Sequence, residues 1–132
     1  MILIDTSVWI DLFRYRKTPP TNRLRMLLDE GRGFGVTPVI VQEILQGAAD
    51  EREFTLLHDY FSTQRMLMPE DALHTHCAAA RLYFDCRRAG VTVRSSVDCT
   101  IAQIALEHGA ALLHNDQDFA RIAKVAPQLK FA

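Results

Sequence analysis

The sequence predicts an α/β fold in which a central, mostly parallel β-sheet is flanked by helices on both faces. Short apolar runs alternate along the chain with stretches whose apolar residues recur at helical spacing. The connections between them are short and carry glycine, proline and helix-capping residues. With 132 residues, 48% of them hydrophobic, the chain can bury one core and is too short for two ordinary domains. We therefore expect a single domain over residues 1–132.

The N-terminal half begins with a wholly apolar strand that ends at Asp5. Thr6 or Ser7 can cap the helix that follows, and a proline-rich break at residues 18–21 separates that helix from a second one. A brief strand then leads to Pro38, which suits the first position of a helix. The predicted elements are strand 2–5, helix 8–13, an amphipathic helix with Leu24, Leu27 and Leu28 that ends at Gly31, strand 34–36, and a helix from Pro38 to Gly47 with Thr37 as its cap.

The C-terminal half continues the alternation of helix and strand signals. Asp50 and Glu53 have the spacing of a capping box, and Ser95 and Asp98 open a later helix in the same way. Gly90 follows a long helical pattern as its C-terminal stop. The predicted elements are a helix with Phe54, Leu57, Tyr60 and Phe61, strand 66–68, helix 70–89, loop 91–94, a helix from Ser95 to Gly109, strand 111–114, helix 118–123 and edge strand 129–131.

Four acids stand out because each lies near the end of a predicted element. Asp5 and Asp116 follow strands, Glu43 lies early in a helix, and Asp98 lies in a first helical turn. Acids that follow parallel strands meet at one edge of the sheet. Two carboxylates about 4 Å apart repel by roughly 4 kcal/mol at an effective dielectric of about 20, and a bound cation reverses this. The set therefore predicts a Mg²⁺ or Mn²⁺ site, since such ions prefer carboxylates and can activate water for attack on a phosphoryl group.

Each acid also has a structural interpretation when it is taken alone. Aspartates at strand ends and helix starts commonly cap helices or form turns, so Asp98 could be a capping-box acid and Glu43 a solvated helix residue. Asp118 is expected to cap the last helix and to reach a metal only through water. The hydroxyl of Thr6 could orient Asp5 or a metal water, or cap the first helix. The prediction of a metal site therefore depends on the four acids Asp5, Glu43, Asp98 and Asp116 taken together, not on any one of them.

Composition narrows the class of protein. A formal net charge of −1 argues against a generally basic nucleic-acid-binding coat but allows a local basic rim around an acidic centre. The odd number of cysteines and the lack of a C-x-x-C pair indicate reduced, packed thiols at Cys77, Cys86 and Cys99 rather than disulfides or a zinc site. No apolar run is long enough to cross a bilayer, and no basic leader opens the chain. We expect a cytoplasmic protein.

Four segments carry short motifs whose order and separation span nearly the whole chain. They are Ile4-Asp5-Thr6-Ser7-Val8-Trp9-Ile10, the Glu43 helix, Ser96-Val97-Asp98-Cys99-Thr100-Ile101-Ala102, and Leu112-Leu113-His114-Asn115-Asp116-Gln117-Asp118-Phe119. Together they resemble a PIN domain, specifically the VapC-type toxins of bacterial toxin–antitoxin pairs. The resemblance implies a PIN-like single domain in which Asp5, Glu43, Asp98 and Asp116 hold Mg²⁺ or Mn²⁺ for endonucleolytic cleavage of RNA to 5′-phosphate and 3′-hydroxyl ends.

The resemblance also implies partners and shows one departure. A cognate antitoxin with a basic tail and a toxin homodimer are expected from the family. Where relatives place a small hydroxyl residue two positions before the last metal-site aspartate, this chain has His114. An imidazole there could contact a phosphate, but a packed, hydrogen-bonded histidine at a strand end is the simpler expectation.

Basic residues near the predicted acids are candidates for contacts with RNA phosphates. Arg94 is the strongest because it precedes the Asp98 helix. Trp9 is expected in the core rather than under a base. The other candidates are Arg14, Arg16 and Lys17 after the first helix, and Arg23 and Arg25 in the second.

Two alternative functions keep the α/β fold. A phosphate-receiving signalling domain would need an acidic doublet after the first strand and a lysine near the last one, whereas Asp5 is followed by Thr6, and Lys124 lies on a predicted helix. A noncatalytic RNA-binding module is disfavoured because uncompensated carboxylates repel phosphate. The sequence leaves open which RNA is cut and whether one or two metals bind.

Overall fold

The computed structural model describes all 132 residues. They form four strands and seven helices, and no helix is both long and apolar enough to cross a membrane. In chain order the elements are β1 Ile2–Ile4, α1 Thr6–Phe13, α2 Pro19–Glu30, β2 Phe34–Gly35, α3 Pro38–Gln46, α4 Glu51–Ser62, α5 Ala72–Arg88, α6 Ser96–His108, β3 Ala111–Leu113, α7 Gln117–Ala123 and β4 Lys130–Phe131.

The strands form one sheet in the order β2-β1-β3-β4, and every pairing is parallel. The predicted α/β class is thus confirmed, with a sheet that is wholly rather than mostly parallel. β1 lies in the interior, where Ile2 is level with both Phe34 and Ala111, and Ile4 is level with Leu113. The carboxyl ends of β1 and β3 are therefore adjacent, and the backbone N–H of Asp5 donates to the carbonyl of Leu113 at 2.9 Å.

The predicted strand 66–68 is wrong. Met66 makes only an isolated bridge to Val36, and the Leu67 N–H donates to the Val36 carbonyl at 2.7 Å. The pairing stops there because β2 itself has two residues, while Pro69 has no N–H to continue a ladder. Residues 66–68 therefore run beside the end of β2 without forming a strand of the sheet.

Three predicted helix starts also need correction. Asp5, rather than Thr6 or Ser7, is the N-cap of α1. The second helix begins at Pro19, inside the predicted break, because Thr18 forms a reciprocal capping box with Thr21. Asp116, rather than Asp118, caps α7.

A core of 28 buried hydrophobic residues lies between the sheet and the helices. Trp9 is 1% exposed and meets Phe61 edge-on at 4.9 Å between ring centroids, so its predicted place in the core is confirmed. All three cysteines are free, with Cys86 and Cys99 buried as expected, but Cys77 is exposed rather than packed.

Candidate metal centre

Asp5 is held rigidly at the turn from β1 to α1. Its carboxylate accepts hydrogen bonds from the Ser7 backbone N–H at 3.0 Å and the Ser7 hydroxyl at 2.5 Å. Burial, with a smaller contribution from the Glu43 carboxylate, raises the pKa of Asp5 to about 6 in spite of the two Ser7 hydrogen bonds, which act to lower it. Asp5 is 4% exposed, so the fold buries a carboxyl group whose ionised form is more stable in water.

Glu43 reaches the same region from α3. Its carboxylate accepts a hydrogen bond of 2.8 Å from the Thr6 hydroxyl, across 37 residues of sequence. That hydroxyl was expected to orient Asp5 or a metal water or to cap the first helix, whereas in the structure it donates to Glu43. Thr6 therefore links the first turn of α1 to an acid on a different helix.

Asp98 has the most strongly perturbed carboxyl group among these acids. Burial is the main cause that raises its pKa to about 8, together with the negative charges of, in decreasing order of effect, Asp5, Asp116, Asp118 and Glu43. No hydrogen bond to its carboxylate offsets the shift, and Ser95 makes no side-chain capping bond at the start of α6. The structure thus gives Asp98 no capping role, and it brings all the predicted acids within electrostatic reach of one another.

The tightest group of acids is formed by Asp98, Asp116 and Asp118, each of which offers one carboxylate oxygen within 4.8 Å of the others. Asp116 reaches this position as the N-cap of α7, accepting from the Asp118 backbone N–H at 2.9 Å. Three oxygens at this spacing, two of them from buried side chains, have the chemistry of a hard-cation site. Asp118 is thus more central to the cluster than its ranking from the sequence indicated.

Two arginines compensate the charge of Asp118. Its carboxylate accepts from the Arg94 backbone N–H at 3.0 Å, from Arg121 Nη1 at 2.9 Å and from Arg94 Nε at 3.4 Å. Burial of Asp118 acts to raise its pKa, but these bonds and charges outweigh it and lower the pKa below the ordinary value. Arg94 also reaches Asp116 at 3.3 Å. One side of the cluster is therefore neutralised by the protein, and the side with Asp98 is not.

The loop after β3 is tied to α1 by a polar network that sequence reasoning missed. Asn115 donates its backbone N–H to the Ser7 hydroxyl at 3.0 Å and its side-chain amide to the buried Asp11 at 2.8 Å. Arg16 completes the network with a 3.0 Å ion pair to Asp11. The sequence signal available was an acid in a short apolar helix. Because Ser7 also donates to Asp5, the network couples the positions of the two strand-end loops.

The other predicted site residues are the basic side chains after α1 and His114. Arg14 and Lys17 are exposed after α1, as is Arg16 beyond its ion pair. His114 is half-buried, with its ring 4.7 Å from that of Phe131 and its Nδ1 accepting from the Asp116 N–H at 3.2 Å. Burial lowers the pKa of His114. A neutral, packed imidazole at this position matches the simpler of the two sequence expectations.

Comparison with known proteins agrees with this architecture. The family model described as PIN domain matches residues 2–125. Ribonuclease VapC11 of Mycobacterium tuberculosis is 41% identical over 126 residues, which cover 95% of this chain and 93% of the relative. VapBC2 of Rickettsia felis, solved bound to a promoter DNA fragment, matches all of the chain and 98% of its own with a TM-score of 0.73 at 18% identity. VapBC-1 of nontypeable Haemophilus influenzae matches all of the chain and 97% of its own with a TM-score of 0.72 at 21% identity.

Proposed function

The chain belongs to the PIN domain family and to its VapC branch, and from that premise we propose that it is a Mg²⁺- or Mn²⁺-dependent endoribonuclease. We further propose that it acts in the cytoplasm as the toxin of a toxin–antitoxin pair. The observation that carries the proposal is that the charges of Asp5, Glu43 and Asp116, from separate segments of the chain, all act on the buried carboxyl group of Asp98. Such a cluster is costly for a fold unless a cation compensates it.

The donor set fits a divalent cation. Asp98 is 8% exposed and its carboxylate has no hydrogen-bond donor to stabilise the ionised form. Asp116 and Asp118 place oxygens within 4.8 Å of it, and Asp5 and Glu43 add negative charge beside it. We assign Asp5, Glu43, Asp98 and Asp116 to hold the ion, and Asp118 and Thr6 to support them. A bound ion supplies Lewis acidity and lowers the pKa of a coordinated water.

The protein's own residues hold the reacting groups in place. Ser7 fixes the Asp5 carboxylate through two hydrogen bonds, and Thr6 fixes Glu43 through one. Water attacks the phosphorus, the bond from phosphorus to the 3′-oxygen breaks, and that oxygen takes up a proton, so the products carry 5′-phosphate and 3′-hydroxyl ends. Arg94, Arg14, Arg16 and Lys17 are the proposed contacts to RNA phosphates.

The proposed partners are an antitoxin protein and a second copy of the chain. Two solved structures with this fold are VapBC assemblies, which supports the antitoxin. An apolar groove between α1 and α4 gives such a partner a surface, since Leu12, Phe13 and Leu57 line it and Tyr15 and Leu56 beside them are 87% and 61% exposed. The homodimer is proposed on the family resemblance.

The test is RNA cleavage by purified protein in Mg²⁺ or Mn²⁺, with Asp5→Asn as the variant. Asp5→Asn should abolish cleavage while the far-ultraviolet circular dichroism stays that of the parent, and chelation with EDTA should have the same effect on the parent. The matched control is Asp59→Asn, which removes a carboxylate that is 72% exposed on α4. Cleavage by Asp5→Asn at the parental rate would refute the proposal. An RNA affinity that does not change with Mg²⁺ or Mn²⁺, together with no cleavage, would indicate a noncatalytic RNA-binding module.

A further inference from the structure

A basic cavity of about 540 Å³ lies next to the acidic cluster. Three cations, Arg94, Arg121 and Lys124, line it together with the polar Thr92 and Gln117, and no acid does. Arg94 and Arg121 are shared with Asp118, so their guanidinium groups mark the boundary between the cavity and the metal centre. Lys124 is exposed and belongs to no ion pair of the chain. The cavity is therefore open, positively charged and contiguous with the acids.

A second concave surface continues the first. It shares Gly90, Val91 and Thr92 with the basic cavity and adds Arg87 from the last turn of α5. The Arg87 guanidinium lies 5.7 Å from the centroid of the half-exposed Phe84 ring, which restrains it through a cation–π contact. We call the surface formed by Arg94, Arg121, Lys124 and Arg87 the basic track.

We propose that the basic track binds consecutive backbone phosphates of single-stranded RNA on one side of the bond to be cut. This inference rests on the proposed ribonuclease function and adds a direction to it. The RNA leaves the acids past Arg94 and follows α7 and the 90–92 loop toward Arg87. A metal centre alone attracts one phosphodiester, whereas a row of separated cations beside it holds the flanking chain in register. The residues after α1 lie on a different segment and do not line the track.

Lys124→Gln is the decisive variant because its side chain has no ion pair to lose. Lys130→Gln is the matched control, since Lys130 is also exposed but is level with Ala111, at the opposite end of β3 from the acids. The parent and both variants are titrated with a short fluorescent single-stranded RNA in EDTA, at several chloride concentrations. Lys124→Gln should weaken binding and reduce the slope of log affinity against log salt by about 0.7, the value for one phosphate contact on a single strand.

Arg87→Gln should reduce the slope by a similar amount, and the double variant with Lys124→Gln by the sum of both. Lys130→Gln should match the parent. Parental affinity and slope in both Lys124→Gln and Arg87→Gln, in a protein that still cuts RNA, would overturn the track and leave the proposed function intact. A parent that binds RNA with the expected slopes but cuts nothing in Mg²⁺ or Mn²⁺ would support the track and refute the nuclease.

Titration of the RNA complex with inorganic phosphate distinguishes a surface that contacts several RNA phosphates from a pocket that binds one free phosphate. The track predicts that phosphate displaces RNA no better than chloride of equal ionic strength. Displacement by phosphate at far lower ionic strength would overturn the proposal in favour of a free-phosphate site.

Discussion

Replacing Asp98 with asparagine should stabilise the metal-free protein by an amount that grows with pH. Burial and four neighbouring acids raise the pKa of Asp98 from 3.8 to about 8, so between these values the folded chain keeps a proton that the unfolded chain has lost. Stability then falls as pH rises, because the native state binds the extra proton. The loss is about 1.4 kcal/mol per pH unit, or about 3 kcal/mol from about pH 5 to about pH 7. Asparagine cannot ionise, so the variant escapes this loss.

The assay is urea unfolding of the parent and Asp98→Asn in EDTA at a series of pH values. Because the Asp5 charge is one of those that raise the pKa of Asp98, the difference in free energy of unfolding reports Asp98 together with its coupling to Asp5. A constant offset between asparagine and aspartate does not matter, since the slope with pH is the readout. Asp59→Asn, an exposed site, should differ from the parent by a nearly constant amount. A flat difference for Asp98→Asn, or one that increasingly favours the parent as pH rises, would show that the folded chain does not raise the pKa of Asp98 and would refute the reasoning.

Two substitutions test how the surrounding structure supports the site and the sheet. Thr6→Val removes the 2.8 Å hydrogen bond to Glu43 and should slow RNA cleavage in Mn²⁺ by about tenfold or more. Thr6→Ser keeps the hydroxyl and should retain most of the parental rate. Equal rates for the valine and serine variants would contradict this role of Thr6. Gly35→Ala should lower the free energy of unfolding by about 1–3 kcal/mol in urea titrations, because its added methyl group would lie 2.9 Å from the Arg65 carbonyl. Gly47→Ala is its control, with only ordinary contacts around the new methyl and an expected effect near zero; similar losses in both would refute the packing argument.

The strand-end acids were predictable because apolar runs that end in aspartate specify both a strand and the point where it stops. Asp5 and Asp116 lie where those runs indicated, at adjacent carboxyl ends of a parallel sheet. The sequence D-Q-D at 116–118 offers two possible caps, and only the folded chain shows that Asp116 caps α7 while Asp118 turns inward to two arginines. Local pattern carries no information about such pairings, since the partners lie on separate segments.

The same limit explains the other differences. The hydroxyl of Thr6 contacts an acid 37 residues away, and no spacing rule connects the two. The run 66–68 has strand-like composition, but its only neighbour, β2, has two residues and offers no longer ladder. Helix patterns were more reliable because their period is set within the element itself.

The interior position of β1 in the sheet determines when the sheet can form during translation. The residues of β1 must wait for Phe34 on one side and for Ala111 to Leu113 on the other before their backbone groups are paired. Asp116, at the far edge of that pairing, is synthesised later still. A nascent or truncated chain that lacks β3 and Asp116 therefore has neither the paired sheet nor the complete set of acids.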